Sequence, residues 1–404
     1  MKKIALHWQI LIALVLAVLY GIFLPNQVDY VHWMGIIFMR ALKMIVVPLV
    51  FTSLVTGVTN IGSGKNLGYL GLKTLGYYIT TSLLAILTGL FFVNIIKPGV
   101  GVNITLPTSS DKIHLADKSI TETLIEIIPK NIFNALTQNN MMLSIIFFAI
   151  LFGFFIIQVK KEQQELLTNL FQAGFDVMMK ITLFIIKFAP LGIFGYVSKI
   201  IAEQNNLPEL ITSLGWFMLT VVLGLFVHGA ISLPVILHFF ARINPAKHIR
   251  AMVTPLLTAF STASSNATLP LTMEAVEEND GVSNKISSFT LPLGATINMD
   301  GTALYELAVA GFVAQIYGID LTITQQLIVV FTALLSSIGT AGIPMASLVT
   351  MTIIFSAVGL PLEGIALILP VDRPLDMLRT ATNVWSDSCG AVIIAKSEGE
   401  KLKV

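Results

Sequence analysis

Hydrophobic residues gather in long runs at about 7–24, 33–58, 70–96, 120–157, 166–200 and 210–240, each near or beyond the roughly 20 residues that carry a helix across a bilayer. The run from 120 is interrupted by Pro129 and by the polar stretch 137–140, which predicts several short helices rather than one rod. Between 97 and 119 lies a polar insertion rich in Pro, Gly, Ser and Thr, with Asp111 and Asp117. After residue 250 the pattern changes. Two apolar runs, 251–270 and 327–344, are too short to cross twice, and each is broken by small polar residues followed by a proline. The first break reads Ser261-Thr262-Ala263-Ser264-Ser265-Asn266-Ala267-Thr268-Leu269-Pro270 and the second Ser336-Ser337-Ile338-Gly339-Thr340-Ala341-Gly342-Ile343-Pro344. A longer polar-striped helix follows each, the first with Asn298 and Asp300, the second with Asp376, Arg379, Asn383 and Asp387 at steps of three or four, so that one helical face carries all four. Interrupted segments in corresponding positions of two halves point to a transporter binding site. The first follows the basic Arg242, Lys247 and Arg250, the second follows Asp320, so two re-entrant hairpins entering from opposite faces, an inverted repeat, are expected.

Composition places these runs in a membrane. Of 404 residues, 55% are hydrophobic and 12% charged, against about 25% charged in soluble domains. The length leaves room for about eight transmembrane helices plus shorter pieces, an all-α polytopic membrane protein. Lys2, Lys3, Lys65, Lys160, Lys161, Arg242, Lys247, Arg250, Lys396, Lys401 and Lys403 mark cytoplasmic loops and two cytoplasmic termini. The first run follows Lys2 and Lys3 as a signal sequence would, but no small-residue cleavage site follows it, so it reads as a retained first span. A net charge of +1 offers no basic face for nucleic acid. A single cysteine, Cys389, excludes an intramolecular disulfide or a multi-cysteine metal site.

An ionisable residue at the bilayer centre costs about 2.5–3.5 kcal/mol, so a charged stripe there marks a substrate or ion path. Broken backbone at membrane depth must line a cavity or be buried in protein, and each hairpin tip offers free N–H groups to anions and free carbonyls to cations. Between the tips, Arg379 can bind a carboxylate with two parallel hydrogen bonds, and Asp376 can pair with an ammonium group. A molecule with both groups is an amino acid, and one with a second carboxylate an acidic amino acid. Asp376 and Arg379, three apart, can also simply pair with each other. Asn298-Met299-Asp300-Gly301-Thr302 puts an amide and a carboxylate in the middle of an apolar helix, with Gly301 loosening it. Oxygen clusters of this kind, together with Asn383 and Asp387, suit hard monovalent cations. Tyr78, Thr81 and Ser82 add hydroxyls that serve either such a cation or ordinary interhelical hydrogen bonds. His228 either titrates or is a packed, hydrogen-bonded histidine.

The first tip, the helix Pro292-Leu293-Gly294-Ala295-Thr296-Ile297-Asn298-Met299-Asp300-Gly301-Thr302, the second tip and the stripe from Asp376 to Asp387 closely resemble the glutamate transporter family of dicarboxylate/amino acid:cation symporters, in order and over essentially the whole chain. The resemblance implies a homotrimeric elevator-type transporter, not an enzyme, in the cell (inner/plasma) membrane. Its scaffold is 1–66 and 98–200, its transport domain 67–97 and 201–404. By the same resemblance Arg379 binds the substrate side-chain carboxylate and Asp376 the amino group. Asn383, Thr380, Thr302, Ser264, Ser265, Thr340, Gly342 and Ile343 supply further substrate contacts. One sodium ion is implied at Asp387, Asn383 and the carbonyls of Gly294 and Asn298. A second is implied at Thr296 with carbonyls near Ser337, Ile338 and Thr340, and a third at Tyr78, Thr81, Ser82, Asn298 and Asp300. No cofactor is implied beyond sodium as coupling ion. Neutral amino acid members lack an arginine like Arg379, and dicarboxylate members lack acids like Asp376 and Asp387.

Two departures stand out. The auxiliary arginine of the family is absent from both its usual places, where this chain has Ala263 and Met377; Arg373, one turn before Asp376, is the expected partial replacement. Glu306 stands where archaeal sodium-coupled members carry glutamine and animal members glutamate, the latter associated with proton co-transport and potassium counter-transport. A buried protonated carboxyl can equally be a plain hydrogen-bonded residue. Purely proton-coupled glutamate/aspartate or C4-dicarboxylate symport is the alternative, and a membrane hydrolase using Asp300 and Asp387 a remote one. No Gly-x-Ser-x-Gly elbow is present, and Gly62-Ser63-Gly64-Lys65 fails as a nucleotide loop because Thr59 and Asn66 occupy required positions.

Overall fold

The computed structural model describes residues 6–62, 68–102, 125, 127–137, 141–203, 207–339 and 346–404, and among them every regular element is helical. Helices α1 (Leu6–Phe23) and α2 (Asp29–Gly62) are joined by the 3-10 turn Pro25–Gln27. Helix α3 (Gly68–Ile96) stops at Lys97, which takes a left-handed φ of 50°. The interrupted run from 120 yields two short helices, α4 (Ile132–Thr137) and α5 (Met142–Ile156). The run 166–200 is also divided: α6 (Lys161–Ile186) ends at Lys187 and α7 (Ala189–Glu203) begins two residues later. Pro190 explains the division, because it has no N–H to continue the ladder and is tolerated in the first turn of a new helix. Helix α8 (Leu207–Val227) runs on through the π turns His228–Ser232 and Leu237–Ala241 to Arg242, whose φ of 54° ends it.

The first hairpin consists of α9 (Pro245–Ala251), α10 (Val253–Thr262) and α11 (Ser265–Ala275). Its break falls at Ala263, left-handed with φ 49°, and at extended Ser264, whose hydroxyl accepts the Ala267 N–H at 3.2 Å. That N-cap satisfies a donor the new helix would otherwise leave unpaired. Pro270 lies inside α11, not at the break. Then follow α12 (Asn284–Ile297), α13 (Asp300–Ile316), α14 (Ile323–Gly339), α15 (Ala346–Val358) and α16 (Ile365–Ser397), the last with Pro370 and Pro374 in its first turns. The second tip, with Thr340, Gly342 and Ile343, lies outside the described residues.

Four helical stretches among the described residues are long and apolar enough to cross a membrane, Asp29–Thr59, Tyr69–Ile96, Lys161–Ile186 and Pro208–Ala241, and Trp8–Phe23, Ser144–Ile156 and Ile323–Leu335 are shorter apolar helices. Leu170, Phe239 and Phe240 point outward, as lipid-facing side chains do. Helix α1 packs on α7, and α2 on α5, α6 and α7, with Phe51, Phe148, Phe152 and Phe171 interlocked between α2, α5 and α6. The other concentration of contacts surrounds α13, which packs against α3, α8, α14, α15 and α16, while α16 also packs on α10 and α12. Nearly every residue of α13 is buried, which is why two carboxylates on it, Asp300 and Glu306, require specific partners.

Candidate functional site

Asn298 and Asp300 do not sit in the middle of one helix, as the sequence suggested. Helix α12 ends at Ile297 and α13 starts at Asp300, with Asn298 (φ −91°, ψ 88°) and Met299 (φ −115°, ψ 54°) non-helical between them. The break is held by side chains from elsewhere: Asn383 Oδ1 accepts the Gly301 N–H at 2.8 Å, capping α13 from α16. Gly301 does not loosen the helix. A Cβ there would lie 2.7 Å from the Arg379 carbonyl oxygen, so glycine is what lets α13 and α16 touch through their backbones.

Around this break a buried oxygen cluster assembles. Asp300 accepts hydrogen bonds from Ser82 and Ser386, both at 2.6 Å, and its Oδ2 lies 3.0 Å from His228 Nε2. The Asn298 amide donates to Asp387 Oδ1 and to Ser386 Oγ, each at 2.9 Å, and its oxygen accepts from Thr81 at 3.3 Å. Tyr78 donates to the Thr290 carbonyl at 2.8 Å. At Gly294 a Cβ would meet Asp387 Oδ1 at 2.5 Å and the Tyr78 hydroxyl at 2.6 Å, so the absence of a side chain is what admits both oxygens. Asn298, Asp300 and Asp387 are all buried, and no Lys or Arg among the described residues pairs with either carboxylate. Two buried carboxylates whose one basic neighbour among the described residues is the His228 imidazole, beside Asp300, call for cations or protons, and hydroxyl, amide and carboxylate oxygens are the donor set for a hard monovalent cation.

About two turns earlier on α16 is a second charged group. Arg379 is 1% exposed; its Nη2 lies 2.9 Å from Asp376 Oδ1 and 3.1 Å from Asp372 Oδ1, and its guanidinium carbon is 3.8 Å from the centroid of Tyr305. Tyr305 donates to Asp372 at 2.8 Å, and Arg373 reaches Asp376 Oδ2 at 3.3 Å. Arg379 Nε and Nη1 have no partner among the described residues. Both two-donor edges of a guanidinium, Nε with Nη2 and Nη1 with Nη2, include Nη2, so a carboxylate arriving at the unpaired N–H of Nε or Nη1 would share Nη2 with Asp372 and Asp376. Asn383 lies between the two groups, donating to Thr302 at 3.2 Å while capping Gly301.

Other residues singled out from the sequence are more dispersed. Thr380 and Ser265 are buried, and Ser264 caps the first hairpin. Thr296 is exposed and its hydroxyl bonds the Pro292 and Leu293 carbonyls of its own helix. Ser337 and Ile338 fall in the last turn of α14, where carbonyls lack intrahelical partners. Glu306 is buried, accepts the Thr350 hydroxyl at Oε1 and leaves Oε2 without a partner among the described residues. Sequence reasoning missed Asp372, Tyr305, Ser386 and Thr350. Asp372 was detectable, because it stands four residues before Asp376 on the same stripe.

The chain matches the sodium:dicarboxylate symporter family over residues 6–397, and it belongs to that family. It is similar to the proton/sodium-glutamate symport protein of Geobacillus stearothermophilus, 38% identical over 99% of this chain and 96% of that one. It is similar to the proton/glutamate-aspartate symporter of Escherichia coli, 36% identical over 98% of this chain and 93% of the relative. Human excitatory amino acid transporter 3 is 36% identical over 93% of this chain and 80% of its own length.

Proposed function

We propose that the protein is a secondary active transporter that carries glutamate or aspartate into the cell with sodium. The observation that carries this reading is the buried Arg379, with Nε and Nη1 unpaired among the described residues and Asp376 beside it, next to an oxygen cluster whose two carboxylates meet no Lys or Arg among the described residues. Arg379 receives the side-chain carboxylate, Asp376 the ammonium group, and Asn383, Thr380, Thr302, Ser264, Ser265 and the second tip enclose the substrate. Asp387, Asn383 and the Gly294 and Asn298 carbonyls hold one sodium ion. Tyr78, Thr81, Ser82, Asn298 and Asp300 hold another, and Thr296 with the end of α14 a third. Because Asn383 belongs to both groups, sodium and substrate binding support each other. Relatives named as proton/sodium-glutamate and proton/glutamate-aspartate symporters and as excitatory amino acid transporters support the class.

Residues 1–66 and 98–200 form the scaffold of a homotrimer and 67–97 with 201–404 the moving elevator, with both termini cytoplasmic; the concentration of packing around α13 and α16 supports this division. Proton co-transport and potassium counter-transport through Glu306 form the second reading, favoured by its Oε2, which has no partner among the described residues. Calorimetric titration of glutamate and of aspartate into purified protein, in sodium and in choline, tests the proposal. Binding that requires sodium is expected; equal binding in choline would remove sodium as the coupling ion.

A further inference from the structure

Behind the oxygen cluster lies a buried polar network that the proposed transport chemistry does not use. His248 on α9 places Nδ1 2.8 Å from Asp280 Oδ2 and Nε2 3.2 Å from Ser388 Oγ, and all three residues are fully buried. Its ring stacks on Trp385, centroids 4.9 Å apart at 27°, and the Trp385 indole N–H donates to the Gly229 carbonyl at 2.9 Å. The order of groups is that of a hydrolytic triad, but Ser388 is sealed from solvent and its hydroxyl donates to the Trp385 carbonyl at 2.8 Å. No substrate carbonyl can reach it.

The network joins segments distant in sequence. His248 sits on α9 at the start of the first hairpin, Asp280 ends the π turn Val276–Asp280 that leaves it, and Trp385 and Ser388 belong to α16. The two residues gripped on α16 flank Ser386 and Asp387, the two that bond Asp300 and Asn298. At 3.6 residues per turn, Trp385 and Ser388 point to one side of the helix, Ser386 and Asp387 to the other. Holding the first pair therefore fixes the rotation of the second. With side-chain tips about 5–6 Å from the helix axis, a rotation of about 10° displaces the Asp387 carboxylate by on the order of 1 Å, enough to spoil the oxygen distances around a small cation.

We infer that His248 is a positioning residue for the cation cluster: by gripping Trp385 and Ser388 it sets the rotation of α16 that aligns Ser386 and Asp387 with Asn298 and Asp300. Asp280 orients the imidazole, as carboxylates orient metal-bound histidines. The inference rests on the cation-binding reading of that cluster.

The test measures labelled aspartate or glutamate binding against sodium concentration in the full-length protein and in His248→Phe, Ser388→Ala and His248→Gln. His248→Phe keeps a ring on Trp385 without hydrogen bonds, and Ser388→Ala removes a single oxygen. Both are expected to raise the half-saturating sodium concentration roughly tenfold, with maximal binding and substrate affinity at saturating sodium unchanged. His248→Gln, which restores a donor and an acceptor, should recover most of the shift. A fall in maximal binding with no shift in half-saturation would mean that the network only stabilises the fold and would overturn the inference, as would unchanged curves. Should His248→Phe fail to fold, Ser388→Ala decides alone. If the unaltered protein binds substrate without sodium, the reading of the cluster fails first and takes this inference with it.

Discussion

Tyr305 and Arg379 share one carboxylate: the phenol donates to Asp372 Oδ1 at 2.8 Å, Arg379 Nη2 approaches the same oxygen at 3.1 Å, and the guanidinium carbon sits 3.8 Å over the Tyr305 ring. The ring and Asp372 thereby hold a buried cation whose Nε and Nη1 have no partner among the described residues. Tyr305→Phe keeps the ring and removes the hydroxyl. Since a hydrogen bond to a charged group contributes about 1.5–3 kcal/mol, substrate affinity by calorimetry should fall about tenfold. Affinity equal to wild type would mean that Asp372 orients Arg379 unaided.

Arg379→Lys retains the charge but replaces a planar fork with a point donor. Loss of the paired hydrogen bonds to a carboxylate is expected to cost about 3 kcal/mol, roughly a hundredfold in affinity for glutamate and aspartate. Competition by neutral amino acids in the same assay shows whether side-chain carboxylate recognition is what has been lost.

Gly294→Ala forces a methyl against Asp387 Oδ1 and the Tyr78 hydroxyl. The half-saturating sodium concentration should rise by roughly tenfold or more, as for other disturbances of a metal-binding shell. Sodium titration of substrate binding reads this directly, and an unshifted curve would take Asp387 out of the cation site.

Glu306→Gln keeps the shape beside Thr350 and removes the exchangeable proton. In wild type, an inward proton gradient added to a fixed sodium gradient should raise uptake, and internal potassium should speed turnover. In the variant neither should matter. Persistent proton sensitivity would move proton coupling to another group.

The stripe Asp376, Arg379, Asn383 and Asp387 was legible because a helix turns spacing directly into a shared face. The first tip was legible because small polar residues interrupt an apolar run, although its break falls at Ala263 and Ser264 and Pro270 stays helical. The break at Asn298 and Met299 was not, since no proline lies there and what replaces the lost backbone bonds comes from Asn383, more than eighty residues on. Ser386 and the set His248, Asp280 and Ser388 were equally hidden, because only tertiary packing brings α3, α9, α13 and α16 together. Division of the run 166–200 followed from Pro190, a local signal that the long apolar pattern overshadowed.

Sodium-driven accumulation of an acidic amino acid is the central claim, and uptake of labelled glutamate and aspartate into proteoliposomes tests it most directly. The comparison is an inward sodium gradient against choline, with Arg379→Lys alongside. Uptake above equilibrium only with sodium, and lost in Arg379→Lys, is the expected result. Uptake that ignores sodium and follows a proton gradient alone would contradict the account of the oxygen cluster built on Asn298, Asp300 and Asp387.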